Sequence, residues 1–320
     1  MVGANYVAFG LSLRSGFPLP GMVPEEGGGL PAIELEVVSP DRLLAAWSGE
    51  HRSPSWQGRL GDGGTFTIGY GADGDMLFAF GNWARFRLDP EMRRLECAPR
   101  ARSDLGWQRM LLARVLPNLA LARGREALHV GAVLSPGGVV GVAAPSGTGK
   151  STLVAELMRR GWPLFCDDVL VLAAGSDGVE AHPGSPHVNL GCGAGRDSAP
   201  RGATLSLHAG ERWMAVEGAA RGPHPLAALF LLERGPGLRL GAEPLPASPL
   251  HLAPFMLGLP DEREREPRRE AERFALYSEL IGGTPVFRLT GERGDDPASL
   301  ADTIERLLAG PAALPMRGAA

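Results

Sequence analysis

One segment of the sequence has the residue types and spacing of a phosphate-binding loop. It runs Ala144-Pro-Ser-Gly-Thr-Gly-Lys-Ser151, follows an apolar run (139–144) that predicts a strand, and opens a helical stretch (150–160). Its two glycines allow successive backbone N–H groups to face an anion, and the helix dipole adds to the attraction. The segment therefore predicts nucleotide binding. The predicted nucleotide-binding residues are Pro145, Ser146, Gly147, Thr148, Gly149, Lys150, Ser151 and Thr152.

Lysine occurs once in this chain. Of the 32 basic residues, only Lys150 is not an arginine. Arginine presents a broad planar fork, whereas lysine presents a compact ammonium group that fits a tight loop. We therefore expect Lys150 to reach the β- and γ-phosphates and the Ser151 hydroxyl to ligate Mg²⁺. Ala144 stands where the usual pattern begins with glycine, which is a mild departure because it ends the predicted strand.

Two adjacent acids and one histidine flank the loop in the sequence. Asp167 and Asp168 lie on a predicted strand (164–172), and His129 lies on an earlier one (128–134). Phosphoryl transfer to a hydroxyl needs a proton acceptor, a cation and a metal ion. Because neighbouring side chains of a strand point to opposite faces, the two acids are expected to differ in role. We assign Asp167 as the base and Asp168 to the metal.

These residues also have plain structural interpretations. Two acids in a row often mark a solvated strand end, and a lone histidine is more often a hydrogen-bonded core residue than a catalytic one. Five further histidines show no ligand spacing and are interpreted as structural or surface residues. They are His182, His187, His208, His224 and His251.

The order of these motifs resembles the catalytic domain of HPr kinase/phosphorylase. The matching residues are Leu128-His129-Val-Gly131, the loop 145–151, Arg160-Gly161 and Cys166-Asp167-Asp168. The sequence looks closest to HPr-kinase-related proteins found beside peptide-maturation genes, including serine kinases of lasso peptide precursors. The resemblance implies the HPr kinase and phosphoenolpyruvate carboxykinase type of α/β fold, with ATP and Mg²⁺ as cofactors. The catalytic residues it implies are His129, Lys150, Asp167 and Asp168.

Two domains are expected. Short β-rich segments between glycine-rich turns predict a small β domain over residues 1–103, and the remainder, 104–320, is the expected catalytic domain. A helix at 107–121 is predicted to join them, with its last turn uncertain at Pro117. The predicted strands of the first domain are 6–13, 32–38, Thr65–Tyr70, Met76–Phe80, Ala84–Leu88 and 93–97. Later predictions are a hairpin at 128–144, strands at 204–207, 213–216, 228–232 and 286–289, and helices at 263–281 and 297–308, the last capped by Asp296.

Composition excludes several classes of function. The net charge is −4 and no basic stripe occurs, which argues against nucleic-acid binding. The longest apolar run is about nine residues, far short of the ~20 that a membrane-spanning helix needs. No signal peptide is evident at the N-terminus. The three widely spaced cysteines, Cys97, Cys166 and Cys192, are expected to be reduced, and the protein is expected to be cytoplasmic.

The acceptor implied by the resemblance is a serine on a peptide or small protein, such as a lasso peptide precursor. The stretch 290–296 is acidic where HPr kinase/phosphorylase has a basic Pro-Gly-Arg-Asn-type loop, which argues against HPr as the substrate and against the reverse reaction. Two alternatives stay open: a bifunctional HPr kinase/phosphorylase, and a non-catalytic nucleotide-binding switch in a peptide-maturation complex. A homo-oligomer also stays open.

The substitution Lys150→Arg tests the phosphate loop. We expect it to nearly abolish nucleotide-dependent activity although the charge is kept, because the guanidinium is too broad for the loop and would displace the phosphates. Turnover of ATP by the purified variant, measured beside the wild type, checks this. Wild-type turnover in the variant would contradict the role given to Lys150.

Overall fold

The computed structural model describes residues 3–25, 32–48, 52–59, 64–71, 73–81, 83–176, 178–191, 200–208, 210–259 and 266–310. Over these ranges the chain is a mixed α/β protein with three β-sheets. Cys192 and the start of the helix predicted at 263–281 lie outside them. Cys97 and Cys166 are buried free thiols. No helix in the described ranges is both long and apolar enough to span a membrane.

Strands from the first hundred residues build a sheet of their own. Among the described residues this sheet has eight strands, in the order β1-β2-β3-β8-β7-β6-β5-β4. Their bounds are β1 Ala4–Ala8, β2 Leu11–Ser15, β3 Ile33–Val37, β4 Arg52–Arg59, β5 Thr65–Tyr70, β6 Met76–Phe80, β7 Ala84–Leu88 and β8 Arg94–Pro99. Three strands agree with their predicted bounds, whereas the run predicted at 6–13 is a hairpin that turns at Phe9 and Gly10. The sequence prediction missed β4 and the helix α1 (Pro40–Ser48).

A continuous helical segment joins this sheet to the rest of the chain. It consists of α2 (Gly106–Met110), a π-helical turn (Leu111–Val115) and α3 (Leu116–Ala122). Pro117 has no N–H to donate, so the segment tolerates it next to the wider turn. The Asn118 side chain donates a further hydrogen bond to the Arg114 carbonyl oxygen, at 2.7 Å. The helix therefore continues through the turn that the sequence left uncertain, and its apolar face packs on the first sheet.

The second sheet has ten strands within the described residues and contains the predicted hairpin. Strand order is β12-β10-β11-β18-β14-β13-β9-β20, and β21 pairs with both β18 and β19. The bounds are β9 Glu126–Leu128, β10 Val130–Ser135, β11 Gly138–Ala143, β12 Leu164–Cys166, β13 Leu170–Gly175, β14 Gly178–His182, β18 His224–Arg234, β19 Gly241–Pro244, β20 Met256–Leu257 and β21 Val286–Gly291. Neighbours β11, β18 and β21 run parallel, so their carboxyl ends meet at one edge.

Two of the predicted strands are interrupted at the same level of the sheet. The run predicted at 128–134 breaks at His129 into β9 and β10, and the run predicted at 164–172 breaks at the acid pair into β12 and β13. Each half pairs with the corresponding half of the other run, β10 with β12 and β9 with β13. The interruptions therefore lie side by side.

The remaining elements cover the second sheet. A three-stranded sheet of order β15-β17-β16 is formed, in the described part of the chain, by His187–Gly191, Glu211–Val216 and Gly202–His208. The helices are α4 (Lys150–Arg159), α5 (Pro267–Gly283) and α6 (Pro297–Ala309). Asp296 caps α6 as predicted, accepting a hydrogen bond from the Ala298 N–H at 3.0 Å. Apolar residues of α4 and α6 pack together with β11 and β18 in one core.

Candidate functional site

The phosphate loop connects β11 to α4 at the carboxyl edge of the parallel strands. Gly147 and Gly149 have φ values of +78° and +103°, a region in which side chains are strained. The loop is closed by the Thr148 N–H, which donates to the Pro145 carbonyl oxygen at 3.2 Å. Ala144 is fully buried at the end of the strand, so its methyl group does not obstruct the exposed residues 145–147. The loop is open to a ligand.

Lys150 is buried at the first position of α4, with 7% of its surface exposed. Its ammonium group donates to the Asp168 Oδ1 atom at 2.8 Å and to the Asp167 carbonyl oxygen at 3.1 Å. These contacts bring the loop and the acid pair into one site. A Cβ atom on Gly131 would lie 2.6 Å from the same carbonyl oxygen, so glycine at this position is what lets the acid-bearing segment approach β10.

Asp168 is surrounded by positive and polar groups. Besides the lysine, the Arg114 guanidinium lies 3.3 Å from Oδ2 and the His129 Nδ1 atom lies 3.3 Å from Oδ1. Burial by itself would raise the pKa of Asp168, but the charges of Lys150 and Arg114 outweigh it and lower that pKa to about 2. Burial, followed by the charge of Lys150, lowers the pKa of His129. At neutral pH the site thus holds an ionised Asp168 beside a neutral imidazole.

Asp167 has the opposite environment. It is buried, and burial raises the pKa of its carboxyl group. Both donors of Asn189 approach the same oxygen, Oδ2, the backbone N–H at 2.8 Å and the side-chain Nδ2 at 3.4 Å. The charge of Lys150 and the nearby Ser151 hydroxyl partly offset the effect of burial on this pKa. The Oδ1 atom is buried and has no hydrogen-bond partner among the described residues.

A small cavity of about 30 Å³ lies beside the acid pair, which is room for a group the size of a water molecule or a hydroxyl. Asp167, His187 and Asn189 line it, and each contributes a buried acceptor atom with no partner within the described ranges. The His187 Nε2 atom lies 2.7 Å from the Pro20 carbonyl oxygen and must carry the hydrogen, so its Nδ1 atom is an acceptor. Phe9, from the β1–β2 turn, and Leu112, from the π-helical turn, complete the wall.

The metal predicted from the sequence has suitable oxygen donors here. No group of three or more His, Cys, Asp and Glu side chains in the described part of the chain is arranged to hold an ion by itself. A magnesium ion at a phosphate loop takes its remaining ligands from phosphates and water, so few protein oxygens suffice. Ser151 and Asp168 offer two such oxygens close to Lys150, and the low pKa keeps the carboxylate ionised.

Sequence reasoning identified His129, Lys150, Asp167 and Asp168, and the structure brings all four together. It missed Arg114 and Asn189, which contact the acid pair. His187, interpreted from the sequence as structural or surface, is buried and lines the cavity beside the acid pair. An arginine carries no signal in a chain where almost every cation is arginine. Nothing in the sequence around residues 187 and 189 indicates that their strand faces Asp167.

Comparison with known proteins gives a distant structural likeness and no sequence match. No family model and no curated protein matches the sequence. Among solved structures, the HPr(Ser) kinase/phosphatase from Coxiella burnetii is similar with a TM-score of 0.32 and 14% sequence identity, over 56% of this chain and 94% of that one.

Two histidines with lowered pKa values predict how the free energy of unfolding depends on pH. Burial lowers the pKa values of His182 and His187 to about 4, so both stay neutral in the folded protein while the unfolded chain takes up protons below about pH 6.5. Stability is therefore full above pH 6.5 and decreases as the pH falls towards 4. Between about pH 4 and pH 6.5, His187→Gln should reduce the slope of the free energy of unfolding against pH by about 1.4 kcal/mol per pH unit. Urea unfolding of both proteins at several pH values measures it, and an unchanged slope would contradict the assignment.

Proposed function

We propose that the protein is an ATP- and Mg²⁺-dependent serine kinase that acts on a peptide or small protein. The proposal rests above all on one observation. The lysine of the phosphate loop contacts an acid pair, and the buried acid has one carboxylate oxygen without a hydrogen-bond partner among the described residues. Phosphoryl transfer requires this combination of a phosphate cradle, a cation and a proton acceptor. A protein that only bound nucleotide would not need the last of these.

In this proposal Asp167 is the general base. Its raised pKa makes it a better proton acceptor than an ordinary aspartate at neutral pH, provided that it stays ionised beside Lys150. Asn189 holds Oδ2 with its backbone and side-chain donors, which leaves Oδ1 available to the acceptor hydroxyl. The proton then moves from that hydroxyl to Oδ1 as the hydroxyl oxygen attacks the γ-phosphorus. The bond between the γ-phosphorus and the β–γ bridging oxygen breaks, and ADP leaves.

The phosphate side of the reaction is assigned to Lys150, Ser151 and Asp168. Lys150 neutralises charge on the β- and γ-phosphates, and Ser151 and Asp168 would hold Mg²⁺. When bound, the metal ion offsets the negative charge that develops during transfer. His129, neutral and 3.3 Å from Asp168, keeps that carboxylate oriented towards this side.

The small cavity at Asp167 is proposed as the entry point of the acceptor side chain. Its size suits the hydroxyl group of a serine side chain, and the acceptors that have no partner among the described residues suit an incoming O–H. Phe9 contributes to its wall from the first sheet, and the Phe9 N–H donates to the Pro183 carbonyl oxygen at 2.7 Å. The first sheet would therefore contribute to acceptor selection. A ribosomal peptide precursor of the lasso type fits this proposal through the sequence resemblance.

Two isosteric substitutions separate the roles of the acids. Asp167→Asn should leave ATP binding within about twofold while reducing phosphotransfer by about 10²–10⁴-fold, because an amide cannot accept the seryl proton. Asp168→Asn should instead weaken nucleotide binding only when Mg²⁺ is present. Calorimetric titration with and without Mg²⁺, together with mass spectrometry of serine-containing peptides incubated with ATP, measures both effects. The opposite pattern of effects would exchange the roles of Asp167 and Asp168. If the wild type phosphorylates no serine in any of the peptides, the result would count against the proposed kinase activity.

The direction of the reaction separates a kinase from a bifunctional enzyme. The reverse reaction binds a phosphoserine together with inorganic phosphate, so it needs spare positive charge for two anions. The stretch after β21 carries Glu292, Asp295 and Asp296 against Arg293, and we expect little or no phosphate-driven dephosphorylation. Phosphorylated product and excess phosphate are incubated with the enzyme, and pyrophosphate is assayed. Release at a rate comparable to the forward reaction would restore the bifunctional alternative.

A further inference from the structure

Arg234 lies at the edge of the sheet that carries the phosphate loop. The parallel strands β11, β18 and β21 are neighbours, and residues after all three carboxyl ends meet at this edge. The phosphate loop follows β11, Arg234 is the last residue of β18, and the acidic residues of 292–296 follow β21. In open parallel sheets, ligands bind outside the carboxyl ends of the strands. Arg234 therefore occupies a position from which a side chain can reach a bound ligand.

The guanidinium of Arg234 is fixed by the loop after β21. Its Nε atom donates to the Glu292 carbonyl oxygen at 3.0 Å, and its Nη2 atom donates to the Asp295 carbonyl oxygen at 2.6 Å. The third nitrogen, Nη1, faces the phosphate loop, because a Cβ atom on Gly149 would lie 3.1 Å from it. Two nitrogens are thus used to orient the third towards the residue that precedes Lys150.

The positive charge of Arg234 has no carboxylate partner among the described residues. The nearby acids accept hydrogen bonds from other groups. Asp295 accepts from the Glu292 N–H at 2.7 Å, Glu292 accepts from the Gly237 N–H at 3.3 Å, and Asp296 caps α6. Carbonyl oxygens orient a guanidinium but leave its charge uncompensated. A guanidinium next to a phosphate-binding loop is complementary to phosphate oxygens, to which it donates strong charge-assisted hydrogen bonds.

We propose that Arg234 is a second cationic contact for the phosphates of a bound nucleotide, acting through Nη1 beside Lys150. The inference builds on the nucleotide binding that the proposed function requires, but it does not require phosphotransfer. The ligand chemistry is a polyphosphate chain rather than a base or a ribose. Arginine suits this position better than lysine, because one planar group makes both the two carbonyl contacts and the phosphate contact.

The test measures binding to the full-length protein by calorimetry, without any peptide acceptor. The ligands are ATP, inorganic tripolyphosphate and adenosine, at a fixed Mg²⁺ concentration. Arg234→Met should weaken ATP and tripolyphosphate binding by about 10–100-fold, the usual range for a lost hydrogen bond to a charged group. Adenosine binding should not change. Arg234→Lys keeps the charge but not the planar group. Its affinities for ATP and tripolyphosphate should lie between those of Arg234→Met and those of the wild type.

Arg239→Met is the matched control, since it removes the same charge from an exposed position on the same connection. Unchanged tripolyphosphate binding in both Arg234 variants would overturn the proposal. Equal losses of affinity for adenosine and tripolyphosphate would also overturn it, because a purely structural role of Arg234 would affect every ligand alike. A wild type that binds tripolyphosphate but phosphorylates no peptide would defeat the proposed kinase activity and leave the role of Arg234 measurable.

Discussion

A buried ammonium group is the constraint on which the candidate site depends. Removing a lysine charge from water costs several kcal/mol unless a partner compensates it. Lys150 is almost fully buried, and the compensation comes from the Asp168 carboxylate and the Asp167 carbonyl oxygen. The acid pair therefore has to lie against the first turn of α4. The ion pair between Lys150 and Asp168 contributes to the low pKa of Asp168. The two acids therefore differ in environment, because burial raises the pKa of Asp167.

The strand interruptions satisfy this constraint without disrupting the sheet. Regular strands would bury the acid pair in the ladder, where each carboxylate would need an interior partner. Instead both runs break at one level, and the pairing resumes on either side. His129 lies in the neighbouring break, where its backbone N–H donates to the Phe255 carbonyl oxygen at 2.7 Å. Gly131 completes the arrangement because its missing side chain leaves space for the acid-bearing segment.

The site has two chemically distinct sides. On one side, the cationic groups of Lys150 and Arg114 surround the ionised Asp168. On the other side, a small cavity is lined by acceptors that have no partner in the described part of the chain, and by Phe9 of the β1–β2 turn and Leu112 of the π-helical turn. An anion suits the first environment and a hydroxyl donor suits the second. The Asp167-Asp168 peptide separates them, which is why two adjacent aspartates have pKa values shifted in opposite directions.

The sequence by itself determined the features that depend on residues close together in the chain. These are the β10–β11 hairpin, the phosphate loop with its single lysine, the start of α4 and the cap of α6, because turn glycines, caps and helical spacing act over a few residues. Long-range pairing decided the rest. The breaks at His129 and the acid pair arise from the opposition of two distant strands, and Arg114, Asn189 and Arg234 approach the site from elements 36 to 84 residues away from Lys150. No local pattern encodes such contacts, because only packing of the complete chain brings these side chains together.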